Sequence, residues 1–355
     1  MKTPLSFLLA FCVLSCAPYA RQSSLSSSVD ALFSHYNQPG TPGASLAVIK
    51  DGRVIYSRAY GLADVENEVP ASTATNYRLA SVTKQFTATA ILQLVGQGKL
   101  SLDSRLTDVL PGAPRYARDV RIRHLLNHTS GLVDYEEFVP DTQMVQVLDA
   151  DVLKILSNID SVYFPAGAKF RYSNSGFALL SLVVEKVSGQ PFAVFLKKNI
   201  FEPLGMDHTV AFQNGLSTVD NRAFGHSRTD KGFVRTDQSN TSAVLGDGGI
   251  YSSVEDLFKW DQDLSTNHLI SASLRKQSFT PGVLNDGTQT KYGYGWYIEP
   301  YKNLASVYHT GSTRGFRNAI FRLPDQHLTV VVLTNRNEGE PIELARKIAD
   351  LVLAQ

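Results

Sequence analysis

Apolar positions fall into two strand-like groups far apart along the chain. Ala44-Ser45-Leu46-Ala47-Val48-Ile49 and Val54-Ile55-Tyr56-Ser57-Arg58-Ala59-Tyr60 each read as a strand. The Asp51-Gly52 pair between them favours a tight hairpin, whose central positions need positive φ. Residues 306–310, 316–323 and 328–334 read as three more strands, with Pro324-Asp325-Gln326-His327 breaking the last pair. Leu25, Val29, Leu32 and Tyr36 repeat at helical spacing before the first hairpin, and Ile342, Ala345, Ile348 and Val352 do so at the C-terminus. The pattern predicts an α/β (α+β) fold with a five-stranded antiparallel sheet flanked by helices.

The middle of the chain has a different period. Helical segments are predicted at 82–95, 122–127, 145–155, 172–187 and 192–199. The expected organisation is a leader at 1–20, a sheet region formed by 21–76 and 242–355, and an inserted, mainly helical region at 77–241. Together the last two make one catalytic domain, with a site expected in the cleft between them. No period of twenty to fifty residues repeats, which excludes a solenoid.

Of the 355 residues, 43% are hydrophobic and 19% charged, an ordinary globular composition. Lys plus Arg number 34 against 33 Asp plus Glu, a net charge of +1, so there is no electrostatic footprint for nucleic acid. The apolar run from Leu5 to Leu14 followed by small residues has the layout of a secretory signal and is too short to span a bilayer. Export to the periplasm or medium is therefore expected. Both cysteines, Cys12 and Cys16, lie in this leader, which leaves no thiol for a disulfide, a metal or a nucleophile in the mature fold. Val13-Leu14-Ser15-Cys16 resembles a lipoprotein cleavage box. A lipidated Cys16 and simple cleavage both stay open, and a lipid on Cys16 is the only membrane contact expected.

Ser81-Val82-Thr83-Lys84 carries the chemistry. Residues three apart share a helix face, which places the Ser81 hydroxyl beside the Lys84 amine. Burial beside a nucleophile disfavours the ammonium and brings Lys84 toward use as a base. Tyr172-Ser173-Asn174 opens an apolar helix with a phenol and an amide, and His309-Thr310-Gly311 lies on a strand where glycine allows a substrate to approach the backbone closely. Two of the three motifs recur elsewhere: Ser273 to Lys276 and Tyr301 to Asn303 have the same forms. The ordered set is the discriminating feature, because neither decoy keeps the order.

With that order, and with the segments from Arg121 to Leu132 and from Gly246 to Leu257, the chain resembles the serine β-lactamase and penicillin-binding protein family, in its class C and D-alanyl-D-alanine peptidase branch. The resemblance runs from about Leu25 to Leu353. It implies Ser81 as the acylated nucleophile, with Lys84 and Tyr172 jointly handling the proton. Asn174 would contact substrate, His309, Thr310 and Gly311 would line the pocket, and the N–H groups of Ser81 and Ser312 would form the oxyanion hole. No cofactor is implied, and the partner is a small ester, D-amino peptide or β-lactam.

His309 stands where class C β-lactamases usually carry Lys, so a substrate carboxylate loses its standing cation. This favours peptidase-like or esterase-like activity, with a class C-like β-lactamase and a non-catalytic penicillin or cell-wall peptide sensor as alternatives. If protonated His309 held a carboxylate, kcat/KM for anionic substrates would decline above about pH 6.5. Arg314 reads equally as a substitute cation or a surface residue. His124 and His128, four apart, have metal-ligand spacing, but Thr129-Ser130-Gly131 ends the helix at once and a structural role is expected. Tyr292, Tyr294, Trp296 and Tyr297 are expected to pack on strands.

Overall fold

The computed structural model describes residues 17–355; Cys12 and Cys16 of the predicted leader lie outside the described residues. The main sheet holds β1 (Ala44–Lys50), β2 (Arg53–Tyr60), β3 (Tyr297–Ile298), β4 (Val307–Thr313), β5 (Phe316–Leu323) and β6 (Leu328–Thr334) in the order β3-β4-β5-β6-β1-β2, with every pair antiparallel. The five predicted strands are all present. The two-residue β3 is an addition at the edge, too short to show a period of its own. Asp51 and Gly52 turn the first hairpin at φ of 50° and 73°, the positive values that the pair was read to supply.

β6 is buried throughout because helices cover both faces of the sheet. Its Val330 and Val332 point toward the two terminal helices, α1 (Ala17–Leu32) and α6 (Pro341–Leu353), whereas Val331 and Leu333 enter the larger core shared with the helical part. Alternation of side chains along a strand produces this division. The N-terminal stripe differs in detail from its predicted form. Phe33, not Leu32, is the fully buried member, stacked on Tyr60 with ring centroids 4.8 Å apart. Tyr36 lies beyond the helix but remains buried.

Four of the remaining helices position the site: α2 (Lys84–Gly96), α3 (Asp149–Ser157), α4 (Asn174–Ser188) and α5 (Val254–Thr266). The predicted start of α3 at Val145 is four residues early. Asp149 is the residue that closes on the core, and Met144 and Val145 stay exposed in a loop. Among the described residues no single helix is long and apolar enough to cross a membrane. A buried ion pair, Arg275 with Asp263, anchors the short helix Ala272–Ser278, while Ser273 and Lys276 of the decoy motif point to solvent.

Candidate active site

Ser81 sits in a 3-10 turn, Ala80–Thr83, that runs directly into α2. The preceding Ala80 has φ of 51°, a left-handed conformation that a side chain disfavours and that surrounding structure must enforce. Two contacts do so. The Leu79 N–H donates to Ile250 O at 2.8 Å, and Asn318 Nδ2 donates to Arg78 O at 2.7 Å, which ties the turn to β5. β4 then presses against the same turn at Gly311. A Cβ added there would lie 2.0 Å from Leu79 O, so only glycine permits the approach. Ser312, next along β4, is exposed.

Lys84 is the first residue of α2 and is fully buried. Its Nζ lies 3.0 Å from Ser81 Oγ, 2.7 Å from Asn174 Oδ1 and 2.9 Å from Asp247 O. Three segments, 81–84, 172–174 and 246–249, thus meet on one amine. Burial pushes Lys84 down to about 8, against the pull of the Asp247, Asp134 and Glu136 carboxylates.

Tyr172 stands beside this amine, with Lys84 Nζ 5.0 Å from the centroid of its ring. Tyr172 Oη is buried with no hydrogen-bond partner within 3.5 Å among the described residues, and the Ser81 side chain is the polar group it interacts with. Burial pushes its pKa well above the ordinary value, and the interaction with the Ser81 side chain only partly offsets that. The ring is held in an aromatic cage. His128 packs on it at 4.1 Å and Tyr297 stacks parallel at 6.3 Å, with Tyr292 edge-on.

His309 is part of that cage rather than a cation at the pocket mouth. It is 1% exposed, and both ring nitrogens are engaged. Nδ1 lies 2.6 Å from Thr310 O and must carry the proton, because a carbonyl only accepts; Nε2 therefore accepts from the Tyr292 hydroxyl at 2.8 Å. Burial, then the nearby Lys84, push His309 down to about 3. The titration near pH 6.5 that an unperturbed imidazole would give is thus removed. Anionic and neutral substrates are expected to show the same relative kcat/KM profile between about pH 5 and pH 7, which paired pH titrations will check.

Several participants carried no sequence motif. Asp134 Oδ2 accepts the Asn174 N–H at 2.7 Å and so fixes the start of α4, and the Ser175 hydroxyl bridges Val133 O and Tyr135 N at 2.8 Å each. Tyr135 in turn donates to Asp247 Oδ2 at 2.9 Å. Nothing in the local sequence around Asp134 points to a partner forty residues away. Tyr297 packs on β4, stacked on Tyr308 at 5.3 Å, and with Tyr292 it also walls the site against Tyr172. His124 and His128 have the structural role expected: their Nδ1 atoms accept the N–H groups of Arg121 and Ser173. Arg314 is exposed on the β4–β5 turn and borders a cavity of about 1230 Å³ that also touches Met144, Leu216, Asp149 and Leu245. That cavity does not include Ser81; it abuts the site through Leu245, two residues before Asp247.

Comparison with known proteins places this arrangement. The Beta-lactamase family model matches residues 29–355. The chain is 32% identical over 337 residues to penicillin-binding protein 4* of Bacillus subtilis, covering 89% of this chain and 73% of that protein. It is 28% identical to the D-aminopeptidase of Brucella anthropi, covering 88% of this chain but only 59% of that relative, so it spans less than two thirds of the relative's length. Among solved structures, an octameric penicillin-binding protein homologue from Pyrococcus abyssi superposes with a TM-score of 0.81 at 28% identity, over 94% of this chain and 77% of that one. A serine and a buried lysine on one turn, an all-antiparallel sheet beside them and a family match across the whole catalytic region give one answer: the chain belongs to the Beta-lactamase family of serine hydrolases.

Proposed function

We propose that this chain is an exported hydrolase that forms an acyl-enzyme on Ser81 and releases it with water, with D-alanyl peptidase-like or esterase-like activity. The observation that carries the reading is the hydrogen-bond set of Lys84. Asn174 Oδ1 and Asp247 O accept only, so a free amine spends its two hydrogens on them. Its lone pair is then left facing the one partner able to donate, the Ser81 hydroxyl 3.0 Å away. Lys84 is accordingly the base that takes the Ser81 proton. Tyr172, kept protonated by its cage, gives a proton to the leaving group, and the N–H groups of Ser81 and Ser312 stabilise the oxyanion.

A neutral His309 supports the ranking of peptidase or esterase above β-lactamase, since a β-lactam carboxylate finds no cation in it. Thr310 and Gly311 would then receive substrate along the β4 edge, and Asn174 would present its amide from the opposite wall. The D-aminopeptidase relatives support a D-amino amide or peptide as the acyl donor. Export rests on the apolar run Leu5 to Leu14, and the choice between a lipid on Cys16 and simple cleavage stays with the leader sequence.

Intact-mass measurement tests the reading. The wild-type protein is expected to gain one adduct from a fluorophosphonate, and Ser81→Ala none. It should turn over a D-alanyl ester or amide while releasing the adduct. Equal labelling of Ser81→Ala would remove the nucleophile assignment. A permanent adduct without turnover would favour the sensor, and high kcat on nitrocefin the β-lactamase.

A further inference from the structure

Every hydrogen bond of the buried Lys84 amine goes to an oxygen without formal charge, yet the base must become an ammonium during acylation. We propose that Asp247 is the positioning residue for this step: its main-chain carbonyl holds the amine, and its carboxylate, tethered by Tyr135, is the buried counter-charge for the ammonium that forms. The inference rests on the acyl-enzyme reading above. It assigns a role to a side chain that touches neither substrate nor nucleophile.

The geometry around Asp247 is built to keep it in place. The residue is 7% exposed and lies in the helical turn Leu245–Gly248, which packs beside Ala80. Thr87 of α2 donates to Gly246 O at 2.7 Å, which joins this turn to the helix that begins with Lys84. The Asp149 carboxylate accepts the Leu245 and Gly246 N–H groups at 2.9 Å each, and the Ser181 hydroxyl at 2.8 Å holds Asp149 itself. From the other side the Tyr135 hydroxyl donates to Asp247 Oδ2. A hydrogen bond from a buried phenol favours the charged form of its acceptor.

The proton account closes. As Ser81 Oγ bonds to the carbonyl carbon, its O–H bond breaks and the proton forms an N–H bond on Lys84. As the carbonyl re-forms and the bond to the leaving group breaks, Tyr172 gives its proton to that group and takes one back from the Lys84 ammonium, whose charge interacts with the Asp247 carboxylate until then. The groups that face Asp247 are Lys84 from α2, Tyr135 and Glu136 from the turn before α3, and Asp149 from α3, while Lys84 itself also feels Asp134 and Glu136. Burial pushes Asp247 up and Lys84 down, so the two titrate as a unit with acylation rising through about pH 8. Taking the negative charge away lowers the proton affinity of Lys84 further.

The test is the pH dependence of single-turnover acylation by a p-nitrophenyl ester, with the adduct on Ser81 followed by mass. Asp247→Asn keeps the shape and the main-chain carbonyl while removing the charge. It is expected to move the midpoint of the rise to lower pH by about one unit, the size of shift that a neighbouring opposite charge produces. Tyr135→Phe removes the donor that favours the carboxylate and is expected to shift the midpoint the same way by less. Slower acylation with an unmoved midpoint in either variant would overturn the proposal, since a merely structural role changes the rate and not the titration. If Asp247→Asn does not fold, the Tyr135→Phe midpoint decides. Absence of any Ser81 adduct in the wild type would instead overturn the acyl-enzyme reading itself.

Discussion

Replacing Lys84 by Met is expected to slow acylation of Ser81 about 10⁴-fold, the upper range for loss of a positioned general base. The loss should be equal for amides and for activated esters, because both need the serine proton removed before the carbonyl is attacked. Stopped-flow acylation rates on the two substrate types will check this. The substitution also leaves Asn174 Oδ1 and Asp247 O without their donor in a buried site. Each unpaired buried acceptor costs about 1–3 kcal/mol, so a lower Tm is expected alongside the lost activity. The rates are therefore compared on protein whose circular dichroism shows it folded. A Lys84→Met enzyme that acylates within tenfold of wild type would transfer the base role to another group.

Tyr172→Phe is expected to separate the substrates that Lys84→Met treats alike. A phenol that protonates the leaving group matters for an amine, which cannot depart as an anion, and hardly matters for p-nitrophenolate. The variant should lose about 10³-fold in kcat/KM on a D-alanyl amide and less than about tenfold on the nitrophenyl ester. Tyr172 Oη has no hydrogen-bond partner among the described residues, so its removal orphans nothing and Tm should hold or rise. Equal losses on both substrates would mean that Tyr172 acts as the base, as a phenolate. That outcome conflicts with the burial that holds the phenol protonated.

These expectations depend on electrostatic environments that the amino-acid order did not disclose. Ser81-x-x-Lys84 was legible because three residues make nearly one turn, and local geometry alone brings the two side chains together. Gly311 reads in the sequence as giving room for a substrate, whereas the group that presses on it in the structure is the chain's own Leu79 O. His309 illustrates the opposite case. Its identity suggested a titration near neutrality, but Tyr292 lies seventeen residues away and the cage that desolvates both comes from three separate segments. A pKa is set by what surrounds a ring, and the surroundings are tertiary.

The sequence by itself determined the five strands, the two terminal helices and which short motifs could share a site, since periodicity and turn chemistry act over a few residues. It also determined that no cysteine occurs after Cys16. Only the tertiary structure decided that Asn174 and Asp247 converge on Lys84, that Asp134 and Tyr135 stand behind them, and that the Tyr172 hydroxyl and the His309 ring are shut away from water. Those contacts join residues forty or more positions apart, or depend on the exclusion of solvent by many side chains at once. Neither property is written in any local stretch of chain.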